Sequence, residues 1–146
     1  DKKNHEPYFA PGIGDEWLIT REPCVLLQRT TAKEQNRRLI AAALPASFLS
    51  EHKAVVIENH LNMIRIIKGK PAVPQEVLAV FMNSNAADRA FRCVSGSVAV
   101  SAYELESIPL PNPAALKPLA TLLRRGATRS KIEAECDRLY DTAEAS

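Results

Sequence analysis

The chain changes its residue pattern near its middle, and this change limits the folds available to it. Up to about residue 67, short runs of β-branched and aliphatic residues alternate with Pro, Gly and polar clusters, which predicts strands of a few residues each. From Pro74 onward the apolar residues recur at helical spacing. Strands followed by helices are typical of the α+β class. We therefore expect a mixed α/β fold of the α+β kind, in which helices pack on a small mixed or antiparallel sheet.

Short strands are predicted in the first half of the chain, at residues 17–20, 24–30, 54–57 and 63–67. Pro23 separates the first two runs, which are either two strands or one strand with a break. Between the second and third strands, Thr30 or Thr31 could cap a helix over residues 32–44. Pro45 stands where such a helix should end. Its buried face would consist of Leu39, Ile40, Ala43 and Leu44.

Helices are predicted in the middle of the chain. One begins at Pro74, and its buried face consists of Val77, Leu78, Phe81 and Met82. Residues 83–85 interrupt this helix, and helical spacing resumes over residues 86–93. A further short helix is expected to begin at Tyr103.

Residues 112–146 are predicted to form a helical hairpin with an apolar seam. Gly126 is a natural C-cap for its first helix. Ser130 and Glu133 have the spacing of a capping box, which predicts a last helix over residues 130–142.

The composition fits one globular domain and says little about a partner. The 146 residues include 46% apolar and 25% charged residues, close to the average of folded domains. The formal net charge of +2 neither requires nor excludes nucleic acid, because such binding depends on a local basic face. The chain begins without Met, which leads us to expect a part of a longer protein.

The cysteine pattern and the hydropathy pattern indicate the compartment. Cys24, Cys93 and Cys136 are odd in number and far apart, which argues against a disulfide framework and against a zinc site. No apolar run approaches the roughly 18 residues of a membrane span, and the polar start differs from a signal peptide. We therefore expect a reducing cytoplasm and no membrane contact.

Motifs of self-sufficient enzymes are missing from the sequence. There is no glycine-rich nucleotide loop after a strand, no HExxH, no Walker sequence and no GxSxG. The (D/N)PPY motif of amino-methyltransferases and a PD-(D/E)xK nuclease spacing are missing as well. We therefore predict no catalytic residue, no metal ligand and no cofactor-binding residue in this chain.

A basic segment over residues 29–38 is the first candidate for contact with nucleic acid. A helix N-terminus there would present free backbone N–H groups to phosphate, with Lys33 and Arg37 on one face. The alternative is an ordinary amphipathic helix with a solvent-exposed charged face. The candidate residues are Arg29, Thr30, Thr31, Lys33 and Arg37.

A polar segment between the last two predicted strands is the second candidate. Asn59, His60 and Asn62 could contact bases or phosphates, since Asn can pair with adenine in the major groove. The alternative is an ordinary turn, in which Asn and His are common.

A third candidate follows the second central helix, where small and hydroxyl side chains could approach the DNA backbone. The alternatives are a helix C-cap at Gly96 and a plain connector. Trp17 and Tyr103 could stack on a base, but a lone aromatic residue is more often part of the core. The candidate residues are Arg92, Ser95, Gly96 and Ser97.

Four segments carry a resemblance to a known family. They are residues 27–35, 58–62, 83–84 and 95–111, the last running from Ser95-Gly96-Ser97 to Leu110-Pro111. Together they resemble the carboxy-terminal specificity region of adenine-N6 DNA methyltransferases of the Eco57I and TaqI kind, which belong to restriction–modification systems. None of these segments is a catalytic motif.

The resemblance implies that the chain selects a DNA sequence and does not itself transfer a methyl group. In such enzymes the amino-terminal part binds S-adenosylmethionine and methylates adenine, and the carboxy-terminal part selects the sequence on double-stranded DNA. By this resemblance, residues 1–111 form a target-recognition domain and residues 112–146 follow it as the helical hairpin. The catalytic domain would be joined in cis or as a subunit, in the cytoplasm of a bacterium or archaeon.

Two other functions remain open. The apolar seam of the hairpin could dock another subunit, as the helices of type I specificity subunits do, or the chain could be the specificity part of a fused restriction endonuclease and methyltransferase. Salt-sensitive duplex binding would favour a DNA reader, and salt-insensitive self-association would favour a docking module. Cleavage of DNA by the intact polypeptide would identify the fused enzyme.

Overall fold

The chain folds into small antiparallel sheets with packed helices, which confirms the predicted α+β class. The computed structural model describes residues 9–31, 35–66, 69–96 and 99–141. The strands are β1 (Ile19–Thr20), β2 (Val25–Gln28), β3 (Ala41–Ala43), β4 (Val55–Val56) and β5 (Leu61–Ile64). The helices are α1 (Ala46–His52), α2 (Gln75–Met82), α3 (Asn85–Val94), α4 (Ala102–Glu106), α5 (Lys117–Arg124) and α6 (Arg129–Asp141).

The central sheet has the strand order β3-β2-β5, and both pairings are antiparallel. In β2, Val25 and Leu27 are buried on the face toward the main core, as the alternation of side chains along a strand requires. Leu26, on the other face, packs in a smaller cluster with Leu44 and with Leu49 of α1. The short strands β1 and β4 form a separate two-stranded sheet.

The main core lies between the central sheet and the helices. Phe81 of α2 and Phe91 of α3 are fully buried there beside Leu27. Leu119 of α5 and Cys136 of α6 are fully buried in the same cluster. The C-terminal helical hairpin therefore shares one continuous core with the sheet.

The helix predicted over residues 32–44 is wrong in the part that the structure describes. Residues 35–40 are irregular, and β3 then pairs with β2 instead of continuing a helix. Of the predicted buried face, Leu39 and Leu44 are buried but Ile40 is exposed. Tertiary contacts have overridden the helical spacing.

A buried carboxylate explains why this segment is extended. Asp88 of α3 is 6% exposed, and its Oδ1 accepts the backbone N–H groups of Arg38 and Leu39 at 2.5 and 3.0 Å. Its Oδ2 accepts from Nε of Arg92 at 2.7 Å. A helix over residues 32–44 would direct those two backbone donors along its own axis. Asp88 therefore holds the segment on the surface of α3.

Arg38 and Thr31 complete this network inside the protein. The Oγ1 of Thr31 donates to the carbonyl oxygen of Arg38 at 3.0 Å and accepts from its Nε at 3.1 Å. The guanidinium of Arg38 also lies 5.7 Å from the ring centre of Phe91, within the range of a cation–π contact. Thr31 thus links two parts of one loop and does not cap a helix.

The break between α2 and α3 supports β3 from its other side. The Oδ1 of Asn83 accepts the N–H of Ala41 at 2.9 Å, and its Nδ2 donates to the carbonyl oxygen of Ala41 at 2.6 Å. One side chain therefore satisfies both backbone polar groups of a residue in β3. The next residue, Ser84, accepts from the N–H of Ala87 at 3.1 Å and caps α3.

The other predicted strands and helices are confirmed, with changed bounds. Strand β5 begins two residues earlier than predicted, so Asn62 lies in a strand and not in the polar segment between strands. The strands predicted at residues 17–20, 24–30, 54–57 and 63–67 correspond to β1, β2, β4 and β5, although Ile67 lies outside the described residues. Gly126 has a φ of 62° after α5, as a C-cap glycine requires.

The capping box predicted at Ser130 and Glu133 is wrong. Helix α6 begins one residue earlier, so Ser130 lies within its first turn. The carboxylate of Glu133 instead accepts the backbone N–H of Asn85, at the start of α3, at 2.8 Å. A capping box is present at Ser101 and Glu104, where it begins α4.

The three cysteines are free thiols, with Cys24 and Cys136 buried and Cys93 exposed. Burial raises the pKa of the Cys136 thiol to about 11, so this thiol is protonated at neutral pH. No helix in the described part of the chain is long and apolar enough to cross a membrane.

We expect Asp88→Ala to lower the free energy of unfolding by about 3 kcal/mol, because it leaves two buried backbone donors without a partner. Asp88→Asn should cost about half as much, since an amide oxygen can still accept from both donors while its NH2 opposes Arg92. Urea unfolding of the three proteins measures this order. Equal stability of wild type and Asp88→Ala would show that the carboxylate does not hold the loop.

The same carboxylate should make the fold sensitive to acid. Desolvation raises the pKa of Asp88, but hydrogen bonds from Arg92 and from the backbone of Leu39 and Arg38 outweigh it, so the net pKa is lowered. Stability from ionised Asp88 is therefore complete above the unfolded pKa, about 3.9, and is lost as the pH falls through the folded value. Urea unfolding between pH 7 and pH 3 should show a smaller acid-dependent loss for Asp88→Asn than for wild type. Parallel pH profiles would contradict this assignment.

Candidate nucleic-acid interface

The end of β2 and the turn between β4 and β5 form an exposed projection. The N–H of Leu61 donates to the carbonyl oxygen of Glu58 at 3.1 Å and closes the turn. The N–H of Arg29 donates to the carbonyl oxygen of His60 at 2.8 Å, which extends the pairing of β2 with β5 beyond the strands themselves. We refer to the exposed residues of this projection as the tip: Arg29, Thr30, Glu58, Asn59 and His60.

The tip holds a positive charge next to a free amide. The Nη1 of Arg29 donates to the backbone carbonyl oxygen of Asn59 at 3.2 Å, which places the guanidinium beside the turn. A guanidinium has five N–H donors, so donors remain for a ligand. Among the described residues, the side-chain amide of Asn59 has no hydrogen-bond partner.

Glu58 and His60 form a close pair within the tip. The Oε2 of Glu58 accepts the backbone N–H of His60 at 2.9 Å and lies 2.6 Å from Nδ1 of its ring. The backbone hydrogen bond from His60, followed by the bond to its ring, lowers the pKa of the Glu58 carboxyl. The two side chains are 65% and 79% exposed, so the imidazole projects into solvent while its Nδ1 side is held.

The segment after α3 lies against the tip. Thr30 forms an isolated antiparallel bridge with Ala99, and the N–H of Val100 donates to the carbonyl oxygen of Arg29 at 2.7 Å. The Nδ2 of Asn62 donates to the carbonyl oxygen of Val100, also at 2.7 Å. The amide of Asn62 is therefore used to hold this segment beside β2, and its side chain is partly buried.

Three other predicted residues make contacts inside the protein. Thr31 is fully buried. The Nη2 of Arg92 donates to the carbonyl oxygen of Gln35 at 3.0 Å, while its Nε binds Asp88. The Nη2 of Arg37 lies 3.0 Å from Oε1 of Glu133, so Arg37 links the irregular segment to α6. Thr31, Arg37 and Arg92 therefore bind other parts of the chain and do not belong to the tip.

Glu133 is a junction between α3, α6 and the irregular segment. Desolvation raises the pKa of its carboxyl, but the Asn85 N–H, Arg37 and Arg129 outweigh this effect, and the net pKa is lowered. The carboxylate therefore stays ionised near neutral pH. The negative charge of Glu133 binds the guanidinium of Arg37.

The third predicted group is only partly described. Ser95 is half-buried, and its hydroxyl has no hydrogen-bond partner within the described part of the chain. Gly96 is exposed, and a Cβ added to it would meet no atom within 4 Å, so neither close packing nor a left-handed C-cap requires glycine there. Lys33 of the first group and Ser97 of this group lie outside the described residues.

Some features of this surface did not follow from the sequence analysis. Glu58 was not predicted as a site residue, although an acid two residues before a histidine in a turn is a usable signal. Trp17 and Tyr103 are 76% and 80% exposed, so the interpretation of these aromatic residues as core is wrong. Both stand where a partner could reach them.

The described residues do not form an S-adenosylmethionine site of the glycine-rich kind. Such a site needs a glycine-rich turn between a strand and a helix, where backbone N–H groups are free. Of the described glycines, Gly12 and Gly14 precede the short 3-10 turn at Glu16–Leu18, and Gly96 and Gly126 follow helices. Gly69 lies between β5 and α2, but it is a single glycine and not a glycine-rich turn. The glycines of the described residues therefore do not form the glycine-rich turn that would hold the cofactor implied by the resemblance.

Comparison with known proteins shows one informative similarity. The chain is 29% identical over 101 residues to the Type II methyltransferase M.BsuBI of Bacillus subtilis. The aligned part covers 67% of this chain but 20% of that protein, so the chain spans about a fifth of the relative's length. No protein-family model and no solved structure matches the chain. The similarity supports a relationship of this chain to the Type II methyltransferases.

Proposed function

We propose that this chain is the DNA target-recognition part of an adenine-N6 DNA methyltransferase of a restriction–modification system. The similarity to a Type II methyltransferase supports this proposal. The methyl donor S-adenosylmethionine and the catalytic residues would belong to a further part of the methyltransferase, joined in cis or as a subunit. The chain itself would bind double-stranded DNA and select its sequence.

The observation that carries the proposal is the composition of the tip. The tip carries one guanidinium, one free amide and one imidazole that is bound by the carboxylate of Glu58. It therefore combines a donor that can bind phosphate with groups that can read base edges. Its backbone is bound by pairing with β2 and by the segment at Val100, and hydrogen bonds orient the side chains of Arg29 and His60. Preorganised groups lose less conformational entropy on binding.

In this proposal the residues of the tip have separate tasks. Arg29 and Thr30 contact phosphate and set the register on the duplex, while Asn59 and His60 reach base edges in the major groove. Methylation of adenine N6 requires the base to leave the stack, so the recognition part must hold the duplex while the catalytic part receives the base.

The remaining predicted residues have indirect tasks in this proposal. Asn62 holds the segment at Val100, and Arg92 with Thr31 holds the irregular loop. That loop leads into Lys33, and the segment after Gly96 leads into Ser97, so both could still add direct contacts to DNA. Arg37, bound to Glu133, would stabilise the fold.

The docking alternative loses its main support. It required an apolar seam on the C-terminal hairpin that is free to meet a partner. Leu116, Leu119, Cys136 and Leu139 of this seam are buried within the chain. A fused restriction endonuclease and methyltransferase is a second candidate for the whole polypeptide and leaves the task of this part unchanged.

We expect Arg29→Ala to weaken binding to every duplex by a similar factor, about five-fold, because a phosphate contact carries no sequence information. The slope of log K against log salt concentration should fall in magnitude by about 0.9. Fluorescence anisotropy with specific and unrelated duplexes at several salt concentrations measures both effects.

The matched control for this variant is Arg125→Ala, which removes the same charge from an exposed site at the end of α5. It should leave affinity and salt slope nearly unchanged. If Arg29→Ala and Arg125→Ala behave alike, the tip is not the phosphate contact. If the wild-type chain shows no salt-dependent duplex binding at all, the proposed function is wrong.

We expect Asn59→Ala to relax the selectivity at one base pair by about 1–3 kcal/mol, the range for a lost bidentate base contact. Affinity for unrelated duplexes should stay the same, since that binding depends on phosphates. Selection from a random duplex pool, followed by sequencing, compares the preferences of wild type and variant. Unchanged preferences at every position would exclude Asn59 as a base-reading residue.

A further inference from the structure

The contact between Glu58 and His60 determines which nitrogen of the imidazole carries a proton. An ionised carboxylate can only accept hydrogen bonds. Its Oε2 lies 2.6 Å from Nδ1 of His60, so this nitrogen must be the donor. In a neutral imidazole with a proton on Nδ1, the other nitrogen, Nε2, is a hydrogen-bond acceptor.

The geometry leaves this acceptor available to a ligand. The side chain of His60 is 79% exposed, and its Nε2 makes no hydrogen bond to any described residue. The backbone N–H of His60 is bound by the same Oε2 at 2.9 Å, which fixes the ring relative to the turn. The other charged group of the tip, the guanidinium of Arg29, is held on the neighbouring carbonyl oxygen of Asn59. With a neutral imidazole, the tip therefore combines an oriented acceptor, Nε2 of His60, with the oriented donors of Arg29.

In the major groove, the bases differ in whether they offer a donor or an acceptor. Adenine and cytosine present exocyclic amino groups, which are donors. Guanine and thymine present carbonyl oxygens at the equivalent position of the major-groove edge. A bare Nε2 can accept from an amino group, but its lone pair opposes that of a carbonyl oxygen. From this we infer that His60, oriented by Glu58, selects a base with an exocyclic amino group at one position of the recognised sequence. Glu58 acts as a positioning residue, since it touches the histidine and not the DNA.

This inference rests on the proposed function and can be tested separately from it. The recognised sequence is first obtained by selection from a random duplex pool with the 146-residue chain. Each adenine in it is then replaced by purine, and each cytosine by 2-pyrimidinone, which removes only the exocyclic amino group. The dissociation constants with and without the amino group give a penalty for each position, and the two analogues distinguish adenine from cytosine.

For the wild-type chain we expect one position at which removal of the amino group weakens binding about ten-fold more than it does for a chain without the His60 contact. This is the effect of one lost hydrogen bond that leaves an acceptor unpaired. His60→Ala should abolish that part of the penalty. Glu58→Ala should also abolish it, because a free imidazole can carry its proton on Nε2. Glu58→Gln should keep it, since the amide oxygen can accept from both N–H groups as Oε2 does.

His52→Ala is the matched control, because His52 is also exposed and lies 3.8 Å from a carboxylate oxygen of Glu51. The His52→Ala protein should lose as much affinity as the wild-type chain when the amino group is removed from the duplex. Any effect of an analogue on the duplex itself cancels, because the comparison is between proteins on the same pair of duplexes. Circular dichroism spectra confirm that the variants at the exposed turn remain folded.

The possible outcomes are distinct. Sequence-selective binding in which no amino group distinguishes wild type from His60→Ala overturns this inference and leaves the proposed function intact. A penalty that His60→Ala abolishes but Glu58→Ala retains overturns the role of Glu58. The absence of salt-dependent, sequence-selective duplex binding overturns the proposed function, and with it the inference.

Discussion

The buried carboxylate of Asp88 is the interaction on which the arrangement of this chain depends. It lies on α3, almost without solvent contact, and it binds the backbone of the loop between β2 and β3. Because the loop is fixed there, β3 is delivered to the free edge of β2 and a three-stranded sheet can form. The desolvation that this burial costs is offset by two backbone donors and one guanidinium. A single polar group in the core thus determines the path of the main chain.

The tip also depends on β2, through the edge of this strand that pairs with β5. Strand β2 pairs with β5 along its length, and the pairing continues through Arg29 into the turn before β5. The segment at Val100 then binds the outer side of Arg29. A surface built in this way has exposed side chains on a backbone that is hydrogen-bonded to two other segments. This combination is what recognition by side-chain hydrogen bonds requires.

The sequence predicted the elements whose stability is local, and it failed where a distant side chain decides the structure. Helix α2 carries its own signals, a proline before its first turn and an apolar face that includes Phe81, and its prediction was confirmed. The helix over residues 32–44 had an equally good spacing but was overridden by Asp88 and Asn83, which lie far along the chain. The capping box at Ser130 failed for the same reason, since Glu133 binds Asn85 instead. Of the predicted site, the exposed turn residues Asn59 and His60 remain candidates for direct contact, whereas the internal partners of Thr31 and Arg37 could not be read from their spacing.

The pairing of Asn83 with Ala41 has a consequence for how the chain behaves among other molecules. An edge strand normally offers its unpaired N–H and carbonyl groups to any extended peptide, which is a route to aggregation. Here the amide of Asn83 occupies both groups of the first residue of β3. The side chain of Asn83 thus makes the two hydrogen bonds that a residue of a neighbouring strand would make. The edge of the central sheet is therefore occupied at Ala41, and a second copy of the chain could pair with this residue only after displacing the amide of Asn83.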